Sequence, residues 1–294
     1  MKILGIETSC DETAASVVED GKNLLSNAVL SSMDLHVAYG GVVPEIAARS
    51  HIEAINPVIN GALETAFPGL SQDEQWAQID AIAITYGAGL GGSLLVGVMA
   101  ARTLAITKSK PLYAINHVEG HIYANFITET SLSGYKLPSK APKFPLLGLI
   151  VSGGHSQIVV WRDHFDYTLL GQTHDDAIGE AFDKVAKILG LPYPGGPSIA
   201  KKALEGDAYA YSLPKSKMKN KYDYSFSGIK TAVLRTAQAE IGENQDFPSF
   251  KLAERLTEAQ KANIAASFQR IAVEPIVKKV VTLSKEFAPK SPPP

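Results

Sequence analysis

Two histidines, four residues apart, are the first candidates for chemistry in this sequence. The stretch "NHVEGHIYANF", residues 116–126, follows the apolar run "PLYAI" and contains His117 and His121. Asn116 is a good helix N-cap, and residues four apart on a helix share a face, so both imidazoles should point the same way. The residues alone leave two interpretations open: a pair of metal ligands, or two histidines with a structural role.

A glutamate between the histidines suggests a zinc protease at first sight. In the H-E-x-x-H pattern, however, the glutamate directly follows the first histidine, whereas Glu119 lies two residues after His117. Counted from Asn116, Glu119 occupies the third helical position, where its side chain can complete a capping box. We therefore interpret Glu119 as part of the helix cap and not as a general base.

Glycine turns recur in the second half of the chain and are candidates for binding an anion. They are "VSGGH" (151–155), "YPGGPSIAKKA" (193–203) and "SFSGIKTAV" (225–233). Glycine permits close approach and positive φ, and backbone N–H groups at such turns and at helix N-termini bind phosphate. One turn of this kind often only connects two elements, but three in one half of the chain favour a nucleotide.

The loop "GAGLGG" (87–92) matches the G-x-G-x-x-G pattern of dinucleotide-binding proteins. That interpretation needs an acidic residue about 20 residues further on, at the end of the next strand. The next strand ends in "YAINH" instead. Its glycines therefore either let a ligand approach the backbone or let a helix pack closely on a strand, and both alternatives remain open.

The single cysteine, Cys10, is a poor candidate nucleophile. It precedes Asp11 and Glu12, and nearby carboxylates raise the pKa of a thiol and so reduce its reactive thiolate form. A single cysteine also excludes an intramolecular disulfide and is typical of a reducing compartment.

The amino-acid composition is typical of a globular protein. It has 294 residues, of which 45% are hydrophobic and 20% charged, and its net charge of -2 provides no general attraction for nucleic acid. No secretory or organellar presequence is recognisable, and no apolar run reaches the roughly 18 residues of a membrane helix. We expect a soluble, cytoplasmic protein without a membrane segment.

Residues 129–145 are rich in Ser, Pro and Lys and predict a linker between two lobes, 1–135 and 136–294. The segments near the start of the two lobes are similar. Both "ILGIETSCDETAASVV" (3–18) and "LLGLIVSGGHSQIVV" (146–160) read as a strand, a polar turn and a second strand. This internal repeat predicts two related lobes, although short strand-turn-strand units also resemble one another by chance.

Further elements predict an α/β fold. Helical patterns cover 44–66, about 92–107 and 175–189, and a strand, "DAIAITYG", precedes the glycine loop. In the last helix, an apolar stripe ends at Gly190, and Asp176, Glu180 and Asp183 should form an acidic edge beside it.

Taken in order, seven motifs closely resemble the TsaD family of tRNA threonylcarbamoyltransferases, formerly described as glycoproteases. They are "GIETSCDET", "GGVVPEIAARSH", "NHVEGHIYANF", "VSGGHSQ", "GEAFDKVAK", "YPGGP" and "SFSGIKTAV". The resemblance implies an α/β protein with the actin-like (ASKHA) fold, two duplicated RNase H-like lobes around a nucleotide cleft. It also implies transfer of a threonylcarbamoyl group from threonylcarbamoyl-AMP to N6 of the adenosine 3′ of the anticodon, in tRNAs reading codons that start with A.

The resemblance also assigns roles to residues. His117 and His121 would be two ligands of one divalent metal, Fe²⁺ or Zn²⁺, and Asp11 or Glu12, with Asp11 preferred, would accept the proton of the attacking amine. The resemblance assigns the remaining positions to the nucleotide, either threonylcarbamoyl-AMP or an ATP/ADP-type ligand. They are Val151, Ser152, Gly153, Gly154 and His155 for the acyl-phosphate portion, and Asp183 and Gly196 for the adenosine.

The partners that the resemblance implies are tRNA, a TsaB-like paralogue and a TsaE-like ATPase, with a homodimer possible when the chain is alone. The paralogue would pack on the N-terminal lobe through helices within 36–66. A rival interpretation is an actin-like or chaperone-like ATPase switch without acyl transfer, which the fold alone permits.

The resemblance further implies that family members continue beyond "EFAPKSPPP" with a strand, a glycine-rich loop bearing an Asn that contacts the adenylate, and an Asp that is the third metal ligand. A proline triplet supplies none of these, so we expect the chain to be incomplete for catalysis, with weak metal binding and an exposed strand in the second lobe.

Overall fold

Residues 1–216 and 218–287 are described by a computed structural model, in which the chain separates into unit 1, Met1–Pro142, and unit 2, which begins at Lys143. This boundary and the predicted one after residue 135 both fall in the irregular stretch 131–145. The terminal "PKSPPP" motif lies outside the described residues. Within the described ranges, the helices are all too short or too polar to cross a membrane.

Alternating apolar residues build the sheet of unit 1. Its described strands lie in the order β5-β4-β1-β2-β3-β6. The central β1 pairs antiparallel with β2 and parallel with β4. The strands are β1 (Lys2–Glu7), β2 (Glu12–Glu19), β3 (Asn23–Ser31), β4 (Ala81–Gly87), β5 (Leu112–Asn116) and β6 (Glu129–Thr130).

The long helix α2 covers this sheet, as the 44–66 pattern predicts. It begins at Pro44, where the missing N–H of proline costs no helical hydrogen bond. Its buried residues recur at helical spacing and pack with Leu4, Ile6 and Ile82 of the sheet. The described helices of unit 1 are α1 (Met33–Val37), α2 (Pro44–Ala66), α3 (Gln72–Gln78), α4 (Gly91–Thr107) and α5 (His117–Tyr123).

Unit 2 opens with the predicted repeat of the hairpin. Its described sheet is an antiparallel meander in which β7 lies at an edge beside β8, and its core includes the ring pair Phe182–Phe268. The described elements are β7 (Leu146–Val151), β8 (Ser156–Asp163), β9 (Asp166–Gln172), α6 (Ile178–Leu189), α7 (Gly195–Ala203), α8 (Ser227–Glu240), α9 (Leu252–Arg255) and α10 (Glu258–Phe287). The predicted α/β class is confirmed.

The helix predicted from residue 175 begins at Ile178. The Ile178 N–H donates to the hydroxyl of Ser156 at 2.9 Å, a tertiary contact that fixes this end. Asp176 therefore precedes the helix, and the prediction that it belongs to a helical acidic edge is wrong; its carboxylate pairs with Lys184 at 2.8 Å. At the other end, Gly190 adopts φ 69° and terminates the helix as predicted.

Candidate active site

The His117–His121 pair lies on a short helix with a well-formed cap. The side-chain oxygen of Asn116 accepts from the N–H groups of Val118 at 2.9 Å and Glu119 at 3.3 Å, which starts α5 directly after β5. The Nε2 atoms of His117 and His121 are 3.0 Å apart. Both imidazoles therefore point to one place, as their spacing predicts.

A half-buried glutamate, Glu7, orients His117 from the side opposite His121. The Nδ1 atom of His117 lies 3.2 Å from Oε2 of Glu7 and 3.1 Å from the hydroxyl of Ser9. Since a carboxylate only accepts, this bond assigns the hydrogen to Nδ1 and leaves the lone pair of Nε2 directed at His121. Burial acts to raise the pKa of Glu7, but hydrogen bonds from His117, Ser9 and Thr85 lower it to about 2. Glu7 is therefore an anion at neutral pH.

These atoms fit two ligands of one divalent metal. Metal-bound histidines commonly donate their second ring N–H to a carboxylate, which fixes the tautomer and the ring orientation, and Glu7 is placed to accept it. Neutral imidazole suits both zinc and iron. In the part of the chain that the structure describes, no group of three or more His, Cys, Asp or Glu side chains could hold a metal. The two histidines thus remain predicted ligands, and the third ligand also remains a prediction.

The turn between β1 and β2 carries the two candidate proton acceptors. Asp11 is half-buried in this turn, and Glu12 is the first residue of β2. Partial burial, and then the negative charges of Asp11 and Glu7, raise the pKa of the Glu12 carboxyl. Ser9, in the same turn, contacts His117, so unit 1 places Asp11 and Glu12 close in the chain to a residue that touches the histidine pair.

Cys10 lies in the same turn and behaves as predicted for a poor nucleophile. Its thiol reaches solvent. Even so, partial burial, followed by the charges of Asp11 and Glu12, raises the pKa of the thiol to about 12. The two neighbouring carboxylates allowed the upward direction of this pKa shift to be predicted from the sequence. Burial, which was not predicted, is its larger cause.

The glycine loop 87–92 packs against this turn. A Cβ atom on Gly89 would lie 2.6 Å from both the Cβ and the carbonyl oxygen of Ser9, closer than real Cβ contacts allow. The Leu90 N–H donates to that same carbonyl at 2.7 Å. Of the two open alternatives for the loop, Gly89 therefore serves close packing.

In unit 2, the predicted acyl-phosphate residues form the turn between β7 and β8. Val151 ends β7, and the Ser152 N–H donates to the carbonyl of His155 at 2.8 Å. The N–H groups of Gly154 and His155 donate to the Ser152 hydroxyl, at 3.3 and 3.0 Å. The space beside Gly153 and Gly154 is open, and neither residue uses the positive φ that glycine permits. The Ser152 hydroxyl thus occupies the position where an anion would accept.

Helix α6 brings the adenosine candidates beside this turn. The Gly179 N–H donates to the Ser152 carbonyl at 3.2 Å, and Asp183 lies one helical turn after Gly179 on the same face. Oδ1 of Asp183 accepts from the N–H of Gly195 at 2.7 Å, at the start of α7, where Gly196 has open space beside its Cα. Burial raises the pKa of the Asp183 carboxyl, although the Gly195 bond opposes this shift.

Sequence reasoning missed three polar residues that support unit 1: Glu7, His36 and His51. Glu7 ends an apolar strand in "GIETS", and a carboxylate in that position is a signal of a buried role. His51 lies at helical spacing between the buried Ala47 and Ile55 of α2, which predicts a buried imidazole with polar partners. His36 gives no comparable pattern.

The comparisons with known sequences agree on one family. The family model described as tRNA N6-adenosine threonylcarbamoyltransferase, TsaD, matches residues 23–292. A protein of that name from Thermomicrobium roseum is 50% identical over 295 residues, covering 98% of this chain and 78% of its own length. One from Dehalococcoides mccartyi is 49% identical over 288 residues, with the same coverage of both chains. Among solved structures, (R)-2-hydroxyglutaryl-CoA dehydratase component A from Acidaminococcus fermentans aligns with a TM-score of 0.45 and 13% identity, covering 99% of this chain and 80% of that one.

Proposed function

This chain belongs to the TsaD family of tRNA N6-adenosine threonylcarbamoyltransferases, and on that premise we propose the reaction that it carries out. It transfers a threonylcarbamoyl group from threonylcarbamoyl-AMP to N6 of the adenosine 3′ of the anticodon, in tRNAs that read codons starting with A. The observation that supports the proposal best is the convergent His117–His121 pair with its Glu7 orienter, in the same unit as two candidate bases. Family membership also agrees with the predicted actin-like fold.

In this reaction the N6 amine attacks the carbamoyl carbon of the donor. A bond forms between N6 and that carbon, the bond from the carbon to the phosphate oxygen breaks, and AMP leaves. The attacking amine loses one proton, and Asp11 is the proposed acceptor, with Glu12 beside it. Asp11 is favoured because its main chain is held: its carbonyl accepts from both the N–H and the hydroxyl of Ser32.

His117 and His121 are the residues that would hold a divalent metal, Fe²⁺ or Zn²⁺. When bound, such an ion supplies Lewis-acid polarisation of a carbonyl oxygen. The contribution of the protein is to keep the Nε2 lone pair of His117 available and aimed at the place to which Nε2 of His121 also points. Glu7 does this by accepting the Nδ1 hydrogen of His117.

The donor nucleotide is proposed to bind unit 2. The N–H groups of Gly154 and His155 can exchange the Ser152 hydroxyl for a phosphate oxygen, and the open Cα positions of Gly153 and Gly154 permit close approach. Asp183 can accept from a ribose hydroxyl, and the open side of Gly196 leaves room for the adenosine. Val151 ends the strand that supports this turn. An ATP/ADP-type nucleotide fits the same groups.

The proposed partners are tRNA, a TsaB-like paralogue and a TsaE-like ATPase. The paralogue is assigned to α1 and α2 because this surface exposes apolar side chains: Leu35 (54%), Val37 (49%), Tyr39 (60%) and Ile52 (63%). Exposed apolar patches commonly mark protein interfaces. The same surface could serve a homodimer when the chain is alone.

The proposed reaction is tested with radiolabelled threonylcarbamoyl-AMP and two tRNAs. This chain, with its partner proteins, should transfer label to a tRNA that reads codons starting with A, and not to the same tRNA with the acceptor adenosine replaced by guanosine. Hydrolysis of ATP by this chain alone, without any transfer of label when its partners and the donor are added, would contradict the proposal and favour the ATPase-switch interpretation.

A further inference from the structure

The turn that carries Asp11 and Glu12 is held through its main-chain carbonyls. The carbonyl of Cys10 accepts from Nε2 of His51 at 3.1 Å and from the hydroxyl of Ser93 at 3.2 Å. His51 belongs to α2 and is fully buried, at 0% exposure. A fully buried imidazole, from a helix in another part of the sequence, therefore reaches the backbone of the turn.

The next carbonyl in the chain has a similar anchor. The carbonyl of Asp11 accepts from the N–H of Ser32 at 3.0 Å and from its hydroxyl at 2.7 Å. That hydroxyl lies 3.1 Å from Nε2 of His36, which is also fully buried. Because the Ser32 hydroxyl gives its hydrogen to Asp11, it accepts from His36.

The hydrogen bonds assign one tautomer to both imidazoles. A carbonyl only accepts, so Nε2 of His51 carries the hydrogen, and Nδ1 accepts from the Thr13 hydroxyl at 2.8 Å. Nε2 of His36 also donates, and its Nδ1 accepts from the N–H of Val43 at 3.2 Å. Each ring therefore uses both nitrogens as a neutral imidazole, and each donates towards the turn.

We propose that His51 and His36 are positioning residues, which fix the β1–β2 turn so that the carboxylates of Asp11 and Glu12 keep one arrangement. The geometric part of this inference is independent of the proposed function; its consequence for transfer rests on that function. Two rings on different helices, one bonded to the Cys10 carbonyl and one linked through Ser32 to the Asp11 carbonyl, restrain the peptide groups on both sides of the Asp11 Cα. The carboxylates of Asp11 and Glu12 then remain available for their proposed role as proton acceptors.

A different role for these histidines would be simple filling of the core, and the two roles differ in what a substitution does. If His51 only fills space, leucine at this position leaves the turn in place. If it positions the turn, leucine frees the Cys10 carbonyl, while glutamine keeps a donor near the position of Nε2. The kcat of transfer should then fall in His51→Leu, whereas the KM for the adenylate, which is proposed to bind unit 2, should stay unchanged.

The sole cysteine of the chain reports on the turn directly. In the wild type, we expect its thiol to react slowly with iodoacetamide, because partial burial and the neighbouring carboxylates raise its pKa and disfavour the thiolate. We expect His51→Leu and His36→Leu to speed alkylation of Cys10 at pH 8 about tenfold, the change in thiolate that follows from a drop of one pKa unit. His51→Gln should stay close to the wild-type rate.

The matched control is Ile55→Ala, which removes a buried side chain from the same helix face without touching the turn. Its alkylation rate should equal the wild-type rate well below its melting temperature. Equal acceleration in Ile55→Ala and His51→Leu, or no acceleration in His51→Leu, would overturn the proposal. If the leucine variants fail to fold, Ser93→Ala and Ser32→Ala each remove one anchor and should accelerate alkylation to a smaller degree; wild-type rates in both would overturn it too. Altered alkylation in a chain that transfers nothing would contradict only the proposed function.

Discussion

Nδ1 of His117 lies 3.2 Å from Oε2 of Glu7, although 110 residues separate them in sequence. Parallel pairing of β1, β4 and β5 brings the carboxyl end of the first strand beside the start of α5. The first strand of the chain thus fixes the orientation of an imidazole in the middle of the chain, and Glu7 becomes part of the proposed metal site without being a ligand.

Substitution of Glu7 by glutamine should weaken metal binding. Glutamine keeps the size of the side chain but removes the negative charge that favours the Nδ1–H tautomer of His117. The expected loss in Zn²⁺ affinity is about 10-fold to 100-fold, measured by competition with a chromogenic chelator. Glu64→Gln, on the exposed face of α2, is the control and should bind as the wild type does. Equal affinity in both variants would exclude an orienting role for Glu7.

Alanine substitutions of Asp11 and Asp183 should impair different steps, the transfer reaction and adenylate binding respectively. Asp11→Ala should lose transfer yet bind the adenylate normally, because a proton acceptor acts mainly in the transition state. Asp183→Ala should weaken adenylate binding, since its carboxylate is proposed to contact the bound nucleotide. Calorimetric titration with a non-hydrolysable adenylate analogue, together with single-turnover transfer, separates the two effects. Similar losses of affinity in both variants would contradict these roles.

The pKa of Glu12 should fall when Asp11 becomes asparagine. Burial is the main cause of the raised pKa of Glu12, and the charge of Asp11 is the next. Because the folded state binds this proton more tightly than the unfolded state does, the Glu12 group favours folding more as the pH falls through its folded pKa. Carboxyl NMR titration of the wild type and Asp11→Asn measures the shift. An unchanged pKa would show that the two carboxylates do not interact.

Gly89→Ala should destabilise unit 1. The new Cβ would lie 2.6 Å from the Ser9 carbonyl, so the loop or the turn must move. Overpacking of this kind typically costs about 1–3 kcal/mol, which urea unfolding can measure. Gly91→Ala is the control, because a Cβ there meets nothing within 4 Å. If the two variants have the same free energy of unfolding, the close contact at Gly89 does not hold the turn.

Much of the fold could be predicted because it depends on local patterns. The period-2 strands of both hairpins, the apolar stripe of α2 and the cap at Asn116 are readable from neighbouring residues. The start of α6 could not be predicted in this way, because the Ser156 hydroxyl that fixes it belongs to a different element. The φ angles of Gly153 and Gly154 were also unpredictable, since glycine accepts both signs.

For the candidate site, residue types predicted the histidine pair but not its supports. The roles of Glu7 and His51 depend on contacts between elements that are far apart in sequence, and only the topology of the sheet brings them together. A buried position in a periodic pattern was the available signal for His51. No local pattern indicated that its Nε2 atom would reach the carbonyl of Cys10.

The central claim is that the unit 1 site supports acyl transfer to tRNA, and nucleoside mass analysis tests it most directly. Wild type and His117→Ala are each incubated with the partner proteins, threonylcarbamoyl-AMP, ATP and unmodified tRNA, and the RNA is then digested. We predict threonylcarbamoyladenosine from the wild type, at a rate limited by its weakly held metal, and none from His117→Ala, with an unchanged circular dichroism spectrum and reduced metal content by elemental analysis. Equal, non-zero amounts of the modified nucleoside from both proteins would contradict this account.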